Sequence, residues 1–460
     1  NNSFKLYNSQ GDGQFQEEFN TSGLYEAKIE LIDIDNDGSD EVILIGRTSE
    51  LPNSQLKVLL YQQEGTTIGS NPIDISNQVS SLKNASSAFG DIDNDQDIDF
   101  AITGSSNSGT QSKVYFNDTQ YEDTINPIYT LSDINFDRVT SSTLDFVDFD
   151  ADGDLDMVVS GNAVGVGVIF KILINNGLQA TELAFEEMLN TGLIPIRNAK
   201  LDFGDYNGDG YLDILYTGVV SGSGKITKLV EYDPINQTYT ESDFDLSDIV
   251  NASIAFGDVD GDNDLDFTIA GESILGNNNT IKTYLNVRNE SAAVIFNASR
   301  IMYTALNVDP VEYIVNDKPS IPTNLISEDI GYDSETDTHK VKFRWDASED
   351  DNTPTKGLTY SLKVGTTPGG DEVMKVNALS NGYRLSAGKG NVEHNKEWTL
   401  NLPNNQYYWS VQAIDASFSG SVFSETQSSI SLGVQSPSLS MVNSYPNPMR
   451  DFYVINSPNP

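Results

Sequence analysis

The sequence contains no cysteine, no long apolar run and few basic residues, and each of these absences excludes a class of protein. Without cysteine, the chain forms no disulfide and no thiolate metal site. No hydrophobic run approaches the roughly 18 residues that a membrane-spanning helix needs, so the sequence predicts no transmembrane segment. The folded state must therefore be stabilised without disulfides or thiolate-bound metals.

Acidic residues outnumber basic residues by 68 to 26, which gives a formal net charge of −42. A chain this acidic repels nucleic acid and anionic membrane surfaces, so we expect neither as a partner. The only histidines, His339 and His394, do not stand among acids at metal-ligand spacing, and we expect both to be exposed or to lie at strand edges. The sequence has no G-x-S-x-G motif or phosphate-binding glycine loop, and we predict no enzyme active site.

A nine-residue acidic motif occurs five times in the sequence. The copy at 148–156 (DFDADGDLD) has carboxylates at positions 1, 3, 5 and 9 and a glycine at position 6. Alternating acids on a tight turn can converge on one hard cation. The first acids stand at 33, 91, 148, 205 and 258, so the steps between them are 58, 57, 57 and 53 residues. A fixed period of this size indicates a repeat architecture.

The repeat extends beyond the acidic loop. Two residues before each first acid stands an apolar residue: Leu31, Phe89, Phe146, Phe203 and Phe256. Thirteen residues after each first acid stands a glycine: Gly46, Gly104, Gly161, Gly218 and Gly271. Short runs of β-branched and aromatic residues flank these positions, so each unit is predicted to contain four short strands. Four strands in about 57 residues make one blade of a β-propeller, and the predicted fold class is therefore all-β.

These units resemble FG-GAP or VCBS repeats, the repeats of the integrin α-chain β-propeller, over roughly residues 20–316. In that family the acidic loops bind calcium, so the resemblance implies about five Ca²⁺ ions, one in each loop. The implied side-chain ligands are Asp33, Asp35, Asp37 and Glu41 in loop one, Asp91, Asp93, Asp95 and Asp99 in loop two, Asp148, Asp150, Asp152 and Asp156 in loop three, Asp205, Asn207, Asp209 and Asp213 in loop four, and Asp258, Asp260, Asp262 and Asp266 in loop five. The implied carbonyl ligands, at position 7, belong to Ser39, Asp97, Asp154, Tyr211 and Asp264.

An EF-hand and an acidic turn without metal are the two alternative interpretations of the loops. An EF-hand needs flanking helices and a bidentate glutamate at position 12, where this chain has Leu44, Ile102, Val159, Tyr216 and Ile269. An acidic turn without metal is disfavoured, because four carboxylates in one loop repel each other without a cation. Position 6 often needs a positive φ, so Asn263 and especially Gln96 are departures, and we expect loop two to bind worst. We expect the metal to be structural rather than catalytic.

Residues 1–20 resemble the last two strands of a further unit. Either units upstream of them are missing, or these strands complete the last blade and close a ring. The opening Asn1-Asn2-Ser3-Phe4 is not a natural start, and we expect a processed chain or a fragment. The first predicted domain is therefore 1–316, with five full repeats and one partial repeat.

Residues 317–432 have no acidic loop and instead show period-two alternation, which predicts a β-sandwich. This segment resembles a fibronectin type III domain, an immunoglobulin-like fold. Trp345 stands where that family keeps its core tryptophan, and the segment ending at Tyr407 resembles its tyrosine corner. Tyr407, Trp409, Val411 and Ala413 are predicted to point inward.

Residues 433–460 are rich in serine, proline and asparagine, and 444–455 (SYPNPMRDFYVI) resembles the beginning of the type A sorting domain of the type IX secretion system of Bacteroidota. The alternative is a proline-rich linker to another immunoglobulin-like module. The resemblance implies the type IX translocon and its shuttle protein as partners, and a secreted or cell-surface location.

Together these features predict a secreted, calcium-stabilised binding or adhesion protein whose propeller face contacts an unknown glycan or protein. A polysaccharide lyase or hydrolase built on a calcium propeller is the first alternative. A mainly structural surface protein is the second.

Overall fold

The computed structural model consists of β-strands, and the residues it describes include no helix that is long and apolar enough to cross a membrane. The described residues are 3–11, 14–32, 34, 41–49, 56–61, 63–64, 67–117, 128–179, 182–222, 224–242, 246, 248–259, 264–273, 279–286, 302–305, 316–334, 338–385, 388–428, 445–446 and 453–454.

The strands of the repeat region are β1 (Ser3–Gly11), β2 (Gln14–Ser22), β3 (Tyr25–Ile32), β4 (Glu41–Arg47), β5 (Leu56–Tyr61), β6 (Gln63–Glu64), β7 (Thr67–Ile68), β8 (Ile73–Asp74), β9 (Lys83–Gly90), β10 (Asp99–Ser106), β11 (Gly109–Asn117), β12 (Tyr129–Leu131), β13 (Val139–Val147), β14 (Asp156–Ala163), β15 (Gly167–Gln179), β16 (Glu182–Glu187), β17 (Ile196–Gly204), β18 (Asp213–Val220), β19 (Gly224–Asp233), β20 (Thr238–Glu241), β21 (Ile249–Gly257), β22 (Asp266–Ser273), β23 (Asn279–Leu285) and β24 (Met302–Ala305). The remaining strands are β25 (Thr323–Asp333), β26 (Thr338–Asp346), β27 (Thr359–Gly365), β28 (Glu397–Pro403), β29 (Tyr408–Ile414), β30 (Gln427–Ser428), β31 (Tyr445–Pro446) and β32 (Tyr453–Val454).

Each acidic repeat forms one four-stranded sheet, as the sequence predicts. The strand orders are β3-β4-β5-β8, β9-β10-β11-β12, β13-β14-β15-β16, β17-β18-β19-β20 and β21-β22-β23-β24. The first strands of successive sheets contact each other, from β3 through β9, β13 and β17 to β21. The five sheets, called the repeat array below, are thus consistent with the blades of a propeller.

Hydrophobic side chains hold neighbouring sheets of the repeat array together. Four buried clusters each combine residues from two successive sheets, and aromatic pairs reinforce them. In the cluster between the third and fourth sheets, Phe149 and Phe203 meet edge to face with ring centroids 5.5 Å apart. A sheet that is apolar on both faces must be covered by its neighbours, which is why a single repeat is not stable alone.

The glycine thirteen residues after each first acid lies opposite a bulge in the first strand of its sheet. In the first strands, the register shifts fall between residues 25 and 28, 83 and 86, 140 and 143, 197 and 200, and 250 and 253. In the third sheet, a Cβ on Gly161 would lie 2.9 Å from the carbonyl oxygen of Thr140. The first bulge residue has a positive φ in four sheets: Glu26, Asn84, Ser141 and Asn198. The glycine therefore leaves room for the extra residue of the bulge.

The N-terminal strands form a sheet of their own. Among the described strands, β1 and β2 pair with each other, and Phe4 packs on Tyr61 with ring centroids 5.2 Å apart. The β1–β2 hairpin thus packs against the first sheet. Among the described strands, neither β1 nor β2 pairs with a strand of the last sheet.

The last sheet departs from the predicted pattern of four antiparallel strands. β24 pairs with β23 in parallel, whereas the other three strands of that sheet are antiparallel. Sixteen residues separate the two strands, which is long enough for the crossover that a parallel pair requires.

The predicted strands of residues 317–432 are present. β25-β26-β28 and β27-β29-β30 form two three-stranded sheets, called the C-terminal sheet pair below, around one hydrophobic cluster. Trp345 lies in this cluster, and the hydroxyl of Tyr407 donates to the carbonyl of Pro403 at 2.8 Å. Trp409, Val411 and Ala413 are also buried in it, so the predicted inward direction is confirmed.

The segment predicted to begin a sorting domain lies mostly outside the described residues. Only the two-residue strands β31 and β32, which pair in antiparallel fashion, are described there. The domain boundaries at 316 and 432 stay predictions.

Replacing Gly161 by alanine tests the bulge geometry. We expect Gly161→Ala to lower the free energy of unfolding by roughly 1–3 kcal/mol, because the new Cβ meets Thr140 and φ is +143°. Gly257→Ala is the control, since a Cβ there meets no atom within 4 Å. Equal urea midpoints for the two variants would contradict the argument.

Candidate metal centres

Each acidic loop connects the first and second strands of its sheet. Loops two, three and four are described in full, and loops one and five in part. The predicted ligands that lie outside the described residues are Asp33, Asp35, Asp37, Ser39, Asp260 and Asp262.

The carboxylate at position 1 is held by backbone N–H groups of its own loop. In loop three, the N–H groups of Asp152 and Gly153 donate to the two oxygens of Asp148 at 3.1 and 3.0 Å. Loops two and four repeat this pattern at Asp91 and Asp205. A side chain fixed in this way points into the turn of the loop.

The carboxylate at position 9 accepts a hydrogen bond from the N–H of position 2 in all five loops. The acceptors are Glu41, Asp99, Asp156, Asp213 and Asp266, at 2.7–3.1 Å. In loops two to five, its other oxygen accepts an N–H from the end of the third strand, such as that of Asn175 at 2.7 Å from Asp156. Each of these four carboxylates therefore connects three backbone segments.

Positions 1, 3 and 9 converge in two loops. Carboxylate oxygens of Asp91, Asp93 and Asp99 lie within 4.8 Å of one another, and so do those of Asp148, Asp150 and Asp156. The residues at positions 5 and 7 of these loops are not part of either group. In the third loop, Asp150 Oδ1 is buried and has no hydrogen-bond partner. A donor set of three carboxylates, one with an unused buried oxygen, fits a hard cation.

Loop four has a different arrangement because position 3 is an asparagine. The amide of Asn207 donates to Asp209 Oδ2 at 3.0 Å, and its oxygen accepts the N–H of the same residue at 2.8 Å. Burial raises the pKa of Asp213, and charge repulsion from Asp205 and Asp209 raises it further. Loop four thus places three acidic side chains close enough to interact electrostatically, and its binding of a cation stays a prediction.

Position 6 of loop two has a positive φ, as the sequence predicts, although its residue is Gln96 rather than glycine. Gln96 adopts φ of +77°, next to Asn94 at +62°, and the loop has the hydrogen bonds of the others. The amide of Gln96 donates to Glu397 and accepts from Thr399, at 3.1 and 3.2 Å. These side-chain partners from the C-terminal sheet pair help to offset the strain of a positive φ.

Burial raises the pKa of the loop carboxyl groups in the metal-free protein. The pKa of Asp148 rises to about 7 through burial, and that of Asp150 to about 6 through burial and the neighbouring Asp152. Burial and the negative charge of Glu393 raise the pKa of Asp91 to about 8. The loops therefore hold negative charge at a cost that a bound cation would remove.

An asparagine that was not among the predicted site residues connects successive loops. The amide of Asn175, at the end of the third strand, donates to the carbonyl of Ile92 in the preceding loop at 2.9 Å. Asn117 and Asn286 make the same contact, to Ile34 and Tyr206. Loop four has Tyr232 at this point. An asparagine recurring 18 to 20 residues after position 9 was the available signal.

The expectation for His394 was wrong. Its side chain is only 8% exposed. Its Nε2 lies 3.6 Å from Asp148 Oδ2 and has no hydrogen-bond partner. The contact joins residues far apart in sequence, so local spacing could not reveal it. His339 lies in β26, where Asp329 and Asn404 contact its two ring nitrogens at 2.7 and 2.9 Å.

The residues at position 12 lie in second strands of the sheets, from Leu44 in β4 to Ile269 in β22, which agrees with the exclusion of an EF-hand.

The family model of the FG-GAP-like repeat matches residues 33–102 and 148–216. No curated protein matches the chain. Among solved structures, a fungal alcohol oxidase of the AA5 family in complex with copper is similar at 11% identity and a TM-score of 0.41, over 92% of this chain and 80% of that one.

The raised carboxyl pKa values predict how pH changes the stability of the metal-free protein. An aspartate in an unfolded chain titrates near 3.9, so between about pH 4 and 8 the folded state retains protons that the unfolded state has lost. We therefore expect the free energy of unfolding in EDTA to fall as pH rises through this window. Urea denaturation at pH 5 to 8 measures this slope.

The matched control for this pH dependence is the double variant Asp91→Asn/Asp148→Asn, which removes two of the titrating groups. We expect its slope to be flatter, by up to about 1.4 kcal/mol per pH unit for each group removed. An identical slope in the variant and the wild type would contradict the assignment.

Proposed function

We propose that this protein is an extracellular binding protein whose repeat array is stabilised by calcium. The convergence of positions 1, 3 and 9 in loops two and three is the observation that carries the proposal. FG-GAP-like repeats are common in extracellular, non-enzymatic binding proteins, which supports the same conclusion.

Calcium is the cation that the donor set favours. The candidate ligands are carboxylate, amide and carbonyl oxygens, which suit calcium and magnesium rather than softer metals. Calcium accepts six to eight oxygens in irregular geometry, whereas magnesium demands a near-ideal octahedron. Loops that differ at positions 3, 6 and 9, as these do, therefore suit calcium better.

We further propose that the C-terminal sheet pair is a fibronectin type III-like spacer and that residues 433–460 begin a type IX sorting domain. The buried Trp345 and the Tyr407–Pro403 hydrogen bond support the first assignment. The second rests on the resemblance of 444–455 alone. In this proposal the translocon and its shuttle protein export the chain to the cell surface or the medium.

We place the ligand at the end of the repeat array away from the acidic loops. The C-terminal sheet pair contacts loops two to four, so that face is partly covered. At the opposite ends of the first strands lies a cavity of about 560 Å³ whose lining includes Asn198, Lys200, Thr217 and Lys225. Amide, hydroxyl and ammonium groups in a concave site suit a glycan, whose hydroxyl groups both donate and accept hydrogen bonds.

Calcium dependence is tested by removing position 3 from loops two and three. In EDTA, we expect Asp93→Asn/Asp150→Asn to be more stable than the wild type, because two repelling charges are gone. With calcium at 100 times its dissociation constant, each lost site should remove about 2.7 kcal/mol of calcium-induced stabilisation. Thermal and urea denaturation with and without calcium measure both effects.

The control variant for this test is Asp133→Asn/Asp317→Asn, which makes the same charge change at exposed positions outside the loops. The same calcium-induced stabilisation in both double variants would contradict the metal assignment. Magnesium in place of calcium should restore much less stability.

Ligand binding is tested on a glycan array. We expect Lys200→Gln/Lys225→Gln to lose binding, because the cavity then lacks both ammonium groups. Lys318→Gln/Lys375→Gln, with the same charge change in the C-terminal sheet pair, should bind as the wild type does. No glycan binding by the wild type, with calcium present, would contradict this ligand class.

A further inference from the structure

The C-terminal sheet pair contacts the position 1 residue of three acidic loops. The amide of Asn395 donates to Asp91 Oδ2 at 3.2 Å. The hydroxyl of Ser417 lies 3.0 Å from the carbonyl oxygen of Asp205 and 3.2 Å from its Oδ2. With the contact between His394 and Asp148 described above, loops two, three and four each have a polar partner from the sheet pair.

Backbone groups take part in the same interface. The N–H of Asp91 donates to Glu393 Oε2 at 3.2 Å, and the N–H of Asp205 donates to the carbonyl of Ala416 at 3.0 Å. At position 6 of loop four the two parts approach closely, since a Cβ on Gly210 would lie 2.0 Å from the carbonyl oxygen of Asn352. The fit of the interface therefore depends directly on the backbone conformation of the loops.

The sheet pair places acidic side chains beside the position 1 residues of two loops. Glu393 lies beside Asp91, and the buried Asp415 lies near Asp205. Lys389 of the sheet pair lies 3.3 Å from Glu393 and donates to the carbonyl oxygen of Phe146 at 3.2 Å, so it offsets part of this negative charge. We assign the ring proton of His394 to Nδ1, which lies 3.2 Å from the carbonyl oxygen of Leu358, so Nε2 presents a lone pair to Asp148.

A cation held by the loops would favour these contacts. Its positive charge would lie beside the acidic side chains of Glu393 and Asp415, and the donors from Asn395 and Ser417 would hold the position 1 carboxylates in place. Outer partners of metal ligands orient those ligands and strengthen metal binding. Coupling of this kind acts in both directions, because a docked state that favours the ion is favoured by it.

We propose that calcium in loops two, three and four clamps the C-terminal sheet pair onto the repeat array, and that docking in turn tightens calcium binding. The inference rests on the calcium binding proposed above. Asn395 and Ser417 are positioning residues in this arrangement, since they act through the carboxylates of Asp91 and Asp205.

The first experiment measures the distance between the two parts. The chain has no cysteine, so Ile235→Cys and Ile330→Cys, at positions 90% and 47% exposed, give unique sites for spin labels. We expect one narrow distance distribution by electron–electron double resonance in calcium and a broad one in EDTA. Calorimetric titration with calcium on the same protein reports binding independently.

The two readouts separate the failure of this inference from that of the proposed function. Calcium binding with the same distance distribution in calcium and EDTA would overturn the clamp and leave calcium binding intact. No calcium binding in the titration would overturn the proposed function, and the clamp with it.

The second experiment tests the reverse direction with a wedge on the sheet-pair side. A Cβ on Gly357 would lie 2.8 Å from the Cβ of Ala151 in loop three, so Gly357→Leu should push the parts apart without changing a loop residue. We expect a broadened distance distribution and roughly tenfold weaker calcium binding. Gly331→Leu is the control, since a Cβ there meets no atom within 4 Å.

Near-ultraviolet circular dichroism checks that both leucine variants are folded. Unchanged calcium affinity in a folded Gly357→Leu variant with a broadened distance distribution would overturn the coupling. Equal weakening in Gly331→Leu would also overturn it, because the effect would not then depend on the interface.

Discussion

The carboxylate at position 9 of an acidic loop connects the loop to the third strand of its sheet, and hydrophobic packing alone would not hold these segments in register. Asp156 accepts one N–H from Phe149 inside its loop and another from Asn175 on the third strand. The amide of Asn175 then reaches the carbonyl of Ile92 in the preceding loop. Packing between sheets is nondirectional, whereas these bonds fix where each loop lies relative to the next sheet.

This arrangement buries negative charge, which has consequences for the rest of the molecule. Backbone N–H groups favour the ionised form of the carboxylates, but burial opposes it and keeps the pKa of Asp156 well above its ordinary value. A divalent cation would resolve this conflict at several carboxylates together. Glu393 and Asp415 lie next to these carboxyl groups, so in the proposed clamp the docking of the C-terminal sheet pair depends on the same cation.

The sequence predicted the five sheets and their loops because period and alternation are local properties. It also located the glycine at 161 and its equivalents, but not the bulge that each one accommodates, whose mark is only a polar residue such as Asn84 or Asn198. The side-chain partners of Gln96 were not predicted, because they lie some 300 residues away in the sequence. His394 and the interface were missed for the same reason, since contacts between distant segments leave no spacing to find.

The central claim is that cations bind at the convergence of positions 1, 3 and 9. Crystals grown in calcium, with diffraction data collected at a long wavelength, test it most directly through an anomalous difference map. The account predicts peaks between Asp91, Asp93 and Asp99 and between Asp148, Asp150 and Asp156. Ordered loops with no peak at either place would contradict it.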